Sequence, residues 1–83
     1  PNPARGPVRL GYELAAAGSV RLAVYSVAGQ LVATLADGNA AAGRHEAAWN
    51  GTDRAGRTMP SGVYFARLAT AGGTLTQRLI VLR

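Results

Sequence analysis

The sequence predicts an all-β fold, a small antiparallel β-sandwich of about seven strands. Three observations carry that expectation. Apolar and polar residues alternate in short runs along most of the chain, which is the period of half-buried strands. Clusters of Gly, Asn and Asp separate the runs, as turn chemistry requires. The chain has 83 residues, enough for one domain at most.

The runs follow in order. Pro1, Pro3 and Pro7 fall within the first seven residues, where they block helix and central-strand pairing. Residues 1–7 therefore read as an extended Pro-rich linker leading into a domain over 8–83. Val8, Leu10, Tyr12 and Leu14 alternate with Arg9, Gly11 and Glu13. After Ala17-Gly18-Ser19, Val20, Leu22 and Val24 alternate with Arg21 and Ala23. Tyr25 breaks this alternation and is expected to face outward. Ala28-Gly29-Gln30 closes a tight hairpin onto Leu31, Ala33 and Leu35. Asp37 to Gly43 reads as a longer link, and Ala40-Ala41-Ala42 is too short to nucleate a helix. His45, Ala47 and Trp49 form the next run, and a polar loop follows. Tyr64, Ala66 and Leu68 then alternate with Phe65 and Arg67. Gly72-Gly73 turns into a closing strand with Leu75, Gln77, Leu79 and Val81 on one face. The expected core is Tyr12, Leu14, Val20, Leu22, Val24, Leu35, Trp49, Tyr64, Leu68 and Leu79. Trp49 matters most there, since a buried Trp removes on the order of 150–250 Å² from water. A domain this short buries only about 60% of its unfolded surface.

Composition excludes several functions. There is no Cys, so neither a disulfide nor a thiolate metal site supports the fold. No apolar run approaches the roughly 18 residues of a membrane-spanning helix. No charged-then-apolar leader opens the chain, so an export signal is expected elsewhere. The net charge is +5, and every basic residue is Arg. Those arginines are scattered along the sequence, whereas nucleic-acid binding needs clustered charge and stacking aromatics.

Catalytic motifs are missing too. His45 is the sole His, and none of Ser19, Ser26 or Ser61 sits in a nucleophile-elbow context. A zinc site needs more ligands than this chain offers. Calcium needs more oxygens than Asn50, Thr52 and Asp53 supply. Gly38 to Gly43 has phosphate-loop spacing, but Arg44-His45 follows where Lys and a hydroxyl residue are required. No cofactor, metal or small-molecule substrate is expected, and no enzyme activity. Asn50, Gly51, Asp53 and Gly56 read as a structural turn, with Asp53 bonding nearby backbone amides.

Several segments, in this order, resemble a known family. They are Asn2-Pro3-Ala4-Arg5-Gly6, Tyr12-Glu13-Leu14, Val20 through Gln30, Gly43-Arg44-His45, Trp49-Asn50-Gly51-Thr52-Asp53, Ser61 through Leu68, and Arg78 through Arg83. Together they look like the C-terminal sorting domain of type IX secretion substrates, and equally like the immunoglobulin-like domain of flagellar hook-capping proteins. Ser26, Gln30, Asn50 and Arg78 depart from the pattern, all at turns or edges. The resemblance implies an immunoglobulin-like or fibronectin III-like sandwich with a non-catalytic role. It implies first a C-terminal accessory domain of a secreted bacterial protein. Such a domain serves sorting, secretion or surface attachment and is recognised by protein partners. The alternative is a structural self-assembly module, a hook-cap-like scaffold or filament subunit that contacts neighbouring subunits or its own copies. Under the first reading, the closing strand Arg78, Leu79, Ile80, Val81, Leu82 and Arg83 would be the recognition surface. A carbohydrate-binding sandwich would need an exposed aromatic strip, and the chain has one Trp, three Tyr and one Phe. An extracellular or cell-surface location follows from the same resemblance.

Overall fold

In the computed structural model, residues 7–82 are described. The linker assigned to residues 1–7 therefore lies, but for Pro7, outside the described residues, as does Arg83. Six strands form: β1 (Val8–Leu14), β2 (Gly18–Ser26), β3 (Leu31–Ala40), β4 (Gly43–Trp49), β5 (Gly62–Thr70) and β6 (Gly73–Val81). Two antiparallel sheets result, a small one ordered β1-β4 and a large one ordered β3-β2-β5-β6. The sandwich is thus all-β and immunoglobulin-like, one strand short of the expected number among the described residues. The sequence itself carries only six alternating runs.

Alternation puts every second side chain into the space between the sheets. In the large sheet Leu22 lies opposite Leu68, Val24 opposite Ala66 and Tyr64 opposite Leu79. Val8, Leu10 and Trp49 close the core from the small sheet. Trp49, Leu79 and Val24 are the largest fully buried side chains. The Trp49 and Tyr64 rings meet edge to face across the two sheets, with centroids 5.2 Å apart at 65°. This geometry favours the ring quadrupoles.

Three details depart from simple alternation. First, β3 carries register shifts against β2, between Leu22 and Ala23 and between Val24 and Tyr25. Each leaves one residue of β3 without an opposite number, as a β-bulge does. Val32 and Ala33 are consequently both buried, while Leu35 is only half-buried. Second, the expected link over Asp37 to Gly43 is mostly strand. β3 runs on to Ala40, and only Ala41 and Ala42 carry the chain to the other sheet. Third, Leu75 shares its face with Leu79 and Val81, yet it is 72% exposed. The small sheet does not extend far enough to cover that end of β6.

Tyr12 and Leu68, both expected in the core, are half-buried and pack against its edge. Among the described residues no helix is long and apolar enough to cross a membrane.

Truncation of Trp49 removes the bridge between the sheets. Trp49→Ala should cost about 3–5 kcal/mol, measured by urea unfolding followed by circular dichroism. A loss below about 1 kcal/mol would contradict the role given to this ring.

Candidate protein-docking surfaces

The polar loop between β4 and β5 is held from within. Gly51 turns the chain with φ 79° and Gly56 with φ 84°, a left-handed backbone that glycine adopts without strain. Asp53 Oδ1 accepts hydrogen bonds from the Ala55 and Arg57 amides, each at 2.9 Å. Its Oδ2 accepts from Arg57 Nε at 3.1 Å. The Asp53 amide donates to Arg57 O at 2.9 Å, and Met59 N donates to Gly51 O at 2.8 Å. Thr52 Oγ1 donates to Asn50 Oδ1 at 2.7 Å. Two core side chains anchor this loop. Trp49 Nε1 donates to Thr52 O at 2.8 Å. Tyr64 Oη donates to Pro60 O at 2.6 Å, the upstream backbone bond of a tyrosine corner. The oxygens of Asn50 and Asp53 are thus directed at the loop's own donors.

The amide of Arg57 lowers the Asp53 pKa below the ordinary 3.8, outweighing desolvation, and the Ala55 amide and Arg57 charge act in the same direction. A carboxylate with a depressed folded pKa stabilises the fold above its unfolded pKa, and that contribution is lost as pH falls through the folded value.

The remaining candidates for chemistry have structural roles. His45 Nε2 donates to Ala41 O at 2.7 Å, and its ring stacks on Tyr12 with centroids 5.4 Å apart. This pair fixes the sheet-to-sheet crossing from β3 to β4. Ser26 Oγ accepts from the Gln30 amide at 3.2 Å in the β2–β3 hairpin. No group of three or more His, Cys, Asp or Glu able to hold a metal occurs among the described residues.

The closing strand is divided in its exposure. Leu79 and Val81 are buried, Ile80 and Leu82 half-buried, and Arg78 exposed. β6 pairs with β5 from Gly62↔Val81 to Thr70↔Gly73, and its inward residues Leu79 and Val81 belong to the core. The structure also brings together a feature the sequence does not announce. An open groove of about 260 Å³ runs between β1 and the overhanging part of β6. Leu10, Tyr12, Leu22, Ala66, Leu68 and Leu75 line it. Among the described residues β1 pairs only with β4, so its backbone on the groove side is there an open edge of the kind that accepts another strand.

The Asp53 network gives one expected outcome. Asp53→Asn should lower the unfolding midpoint at neutral pH. The gap to the parent should then close as pH falls below 3.8, as followed by thermal unfolding at stepped pH. A gap that stays constant into acid would show that the charge contributes nothing.

Comparison with known proteins follows from this geometry. A search among curated proteins returned no match. Among solved structures, FlgD from P. aeruginosa superposes with a TM-score of 0.69 at 29% sequence identity, over 89% of this chain. FlgD from Xanthomonas campestris, described in connection with hook capping in flagellar assembly, gives 0.63 at 27% identity over 95% of this chain. In both cases the match takes in 58% of the FlgD chain. The chain is an immunoglobulin-like module of the kind those proteins contain. Over residues 4–73 it matches the family model of the FlgD Ig-like domain, and it belongs to that family.

Proposed function

We propose that this domain is a structural scaffold of an extracellular assembly, packing against neighbouring protein subunits as a hook-cap module does. The observation that carries the reading is the FlgD superposition, 0.69 over 89% of the chain. Both reported structures are FlgD, one of them described in connection with hook capping, and this shifts the balance away from the sorting-tag expectation. The closing strand supports the same choice. Recognition of Arg78 to Arg83 by peeling would pull Leu79, 1% exposed, out of the core and unfold the sandwich. A scaffold role needs only surfaces that the folded domain already offers, such as the open β1 edge and its apolar groove. The neighbour at that edge is an extended strand of an adjacent subunit. It would complete the small sheet and cover Leu75.

Light scattering with negative-stain imaging of the 83-residue chain at rising concentration tests this. Ordered oligomers or filaments that Leu75→Glu abolishes, with stability unchanged within about 0.5 kcal/mol, are expected. A monodisperse monomer that exports a fused reporter through type IX machinery would overturn the scaffold reading in favour of sorting.

A further inference from the structure

Three of the arginines that lie scattered in sequence are gathered by strand register onto one surface. On the outer face of the large sheet, Arg21 of β2 lies opposite Ala69 of β5, and Arg67 of β5 opposite Ala23 of β2. Arg67 also lies opposite Thr76 of β6, and Arg78 of β6 opposite Phe65. Arg21, Arg67 and Arg78 therefore occupy successive rows on successive strands. They form a diagonal stripe across β2, β5 and β6, and all three are exposed. Diagonal neighbours in an antiparallel sheet stand about 7–8 Å apart.

Within the fold this arrangement is unfavourable, because like charges at that spacing repel. Among the described residues Asp37, opposite Arg21 on β3, is the one acid that the register brings onto this part of the face. The outer face of the small sheet is different. Arg9 and Arg44 share it with Glu13 and Glu46, and Arg9 Nη1 stands 3.4 Å from Glu46 Oε1. Counting the described residues, the outer face of the small sheet is charge-balanced and that of the large sheet carries excess positive charge.

The stripe is also partly preorganised. The Arg67 guanidinium lies over the Tyr25 ring, 5.2 Å from its centroid, a cation–π contact. A guanidinium held over a ring can still present its N–H edge to a carboxylate in a bidentate pair. Phe65, in the same row as Tyr25 and Arg78, is half-buried and gives the stripe an apolar flank.

We infer that the outer face of the large sheet is a docking surface for an extended acidic protein segment carrying carboxylates at alternate residues. Alternate residues of an extended strand recur about every 6.8 Å, close to the spacing of the stripe. A second copy of this chain fits poorly, since two such faces would repel each other. Single-stranded nucleic acid fits less well than a carboxylate row, because Arg67 covers the Tyr25 ring on which a base would stack. This surface is separate from the β1 groove, and the inference stands whether the domain is a scaffold or a sorting tag.

The test uses the folded 83-residue chain, with a short peptide of alternating glutamate and threonine as probe. Backbone amide shifts are followed by NMR at about 0.15 M salt, where loose long-range attraction is screened. The expected result is saturable shifts confined to β2, β5 and β6. The variant R21Q/R67Q/R78Q should weaken binding at least about tenfold. R9Q/R44Q, on the opposite sheet, should leave it unchanged. Circular dichroism checks that both variants keep the fold. Equal losses in the two variants, or shifts spread over both sheets, would overturn the inference by reducing it to net charge. So would tighter binding of an oligothymidylate on the same face, which would make the surface a nucleic-acid platform.

Discussion

The sandwich depends on the meeting of Trp49 and Tyr64. Trp49 ends the small sheet and Tyr64 lies near one end of β5, an inner strand of the large one, and their rings touch edge to face at 5.2 Å. Each ring also carries one polar group that a buried position must satisfy. Both groups bond to backbone carbonyls of the same connecting loop, at Thr52 and Pro60. One contact therefore does three things. It holds the sheets together, fills the largest part of a thin core, and fixes the path of a long loop. Asp53 then organises the tip of that loop by accepting from three donors. No buried side-chain nitrogen or oxygen among the described residues lacks a partner. This is the economy a domain of this size needs, because each orphaned polar group would cost about 1–3 kcal/mol.

Much of this was legible in the residues. A run such as Val20-Arg21-Leu22 states which side chains point inward, because the period of a strand is two. Asn50-Gly51 and Ala55-Gly56 state where the chain must turn. What stayed hidden depends on pairing between strands. Bulges in β3 turned Val32 inward and moved Leu35 to the rim, and nothing local to Leu31 through Leu35 announces an extra residue. Gly38 and Asn39 read as a turn by composition, yet they pair with Val20 and Ser19. Leu75 keeps the alternation of its strand but lies beyond the reach of the small sheet, and an alternation pattern cannot state how wide the opposite sheet is.

The arginines show the same limit from the side of function. Arg21, Arg67 and Arg78 are far apart in the chain, so their spacing alone carries no sign of a patch. Only the β2–β5 and β5–β6 registers place them on adjacent rows. A charge pattern in a sheet protein is a property of register first and of sequence second. For the helix-like spacing of i and i+4 the opposite holds, and a charged face can be read directly. In this fold the turn chemistry of the β4–β5 loop was readable and the electrostatics of the large sheet's outer face were not.

The unequal sheets connect fold to role. Among the described residues, two strands facing four leave apolar residues of the larger sheet uncovered, and Leu75 is the visible consequence. A core this small gains little from its own closure, so a neighbour that covers the gap contributes in proportion to what the domain lacks. Ligand linkage makes that gain quantitative. A partner present at one hundred times its Kd stabilises the folded state by about 2.7 kcal/mol, a large fraction of the margin of a small domain. A domain built this way is most stable when docked. That property suits a subunit which spends its life within an assembly, and it gives no advantage to a tag that must be recognised once and released.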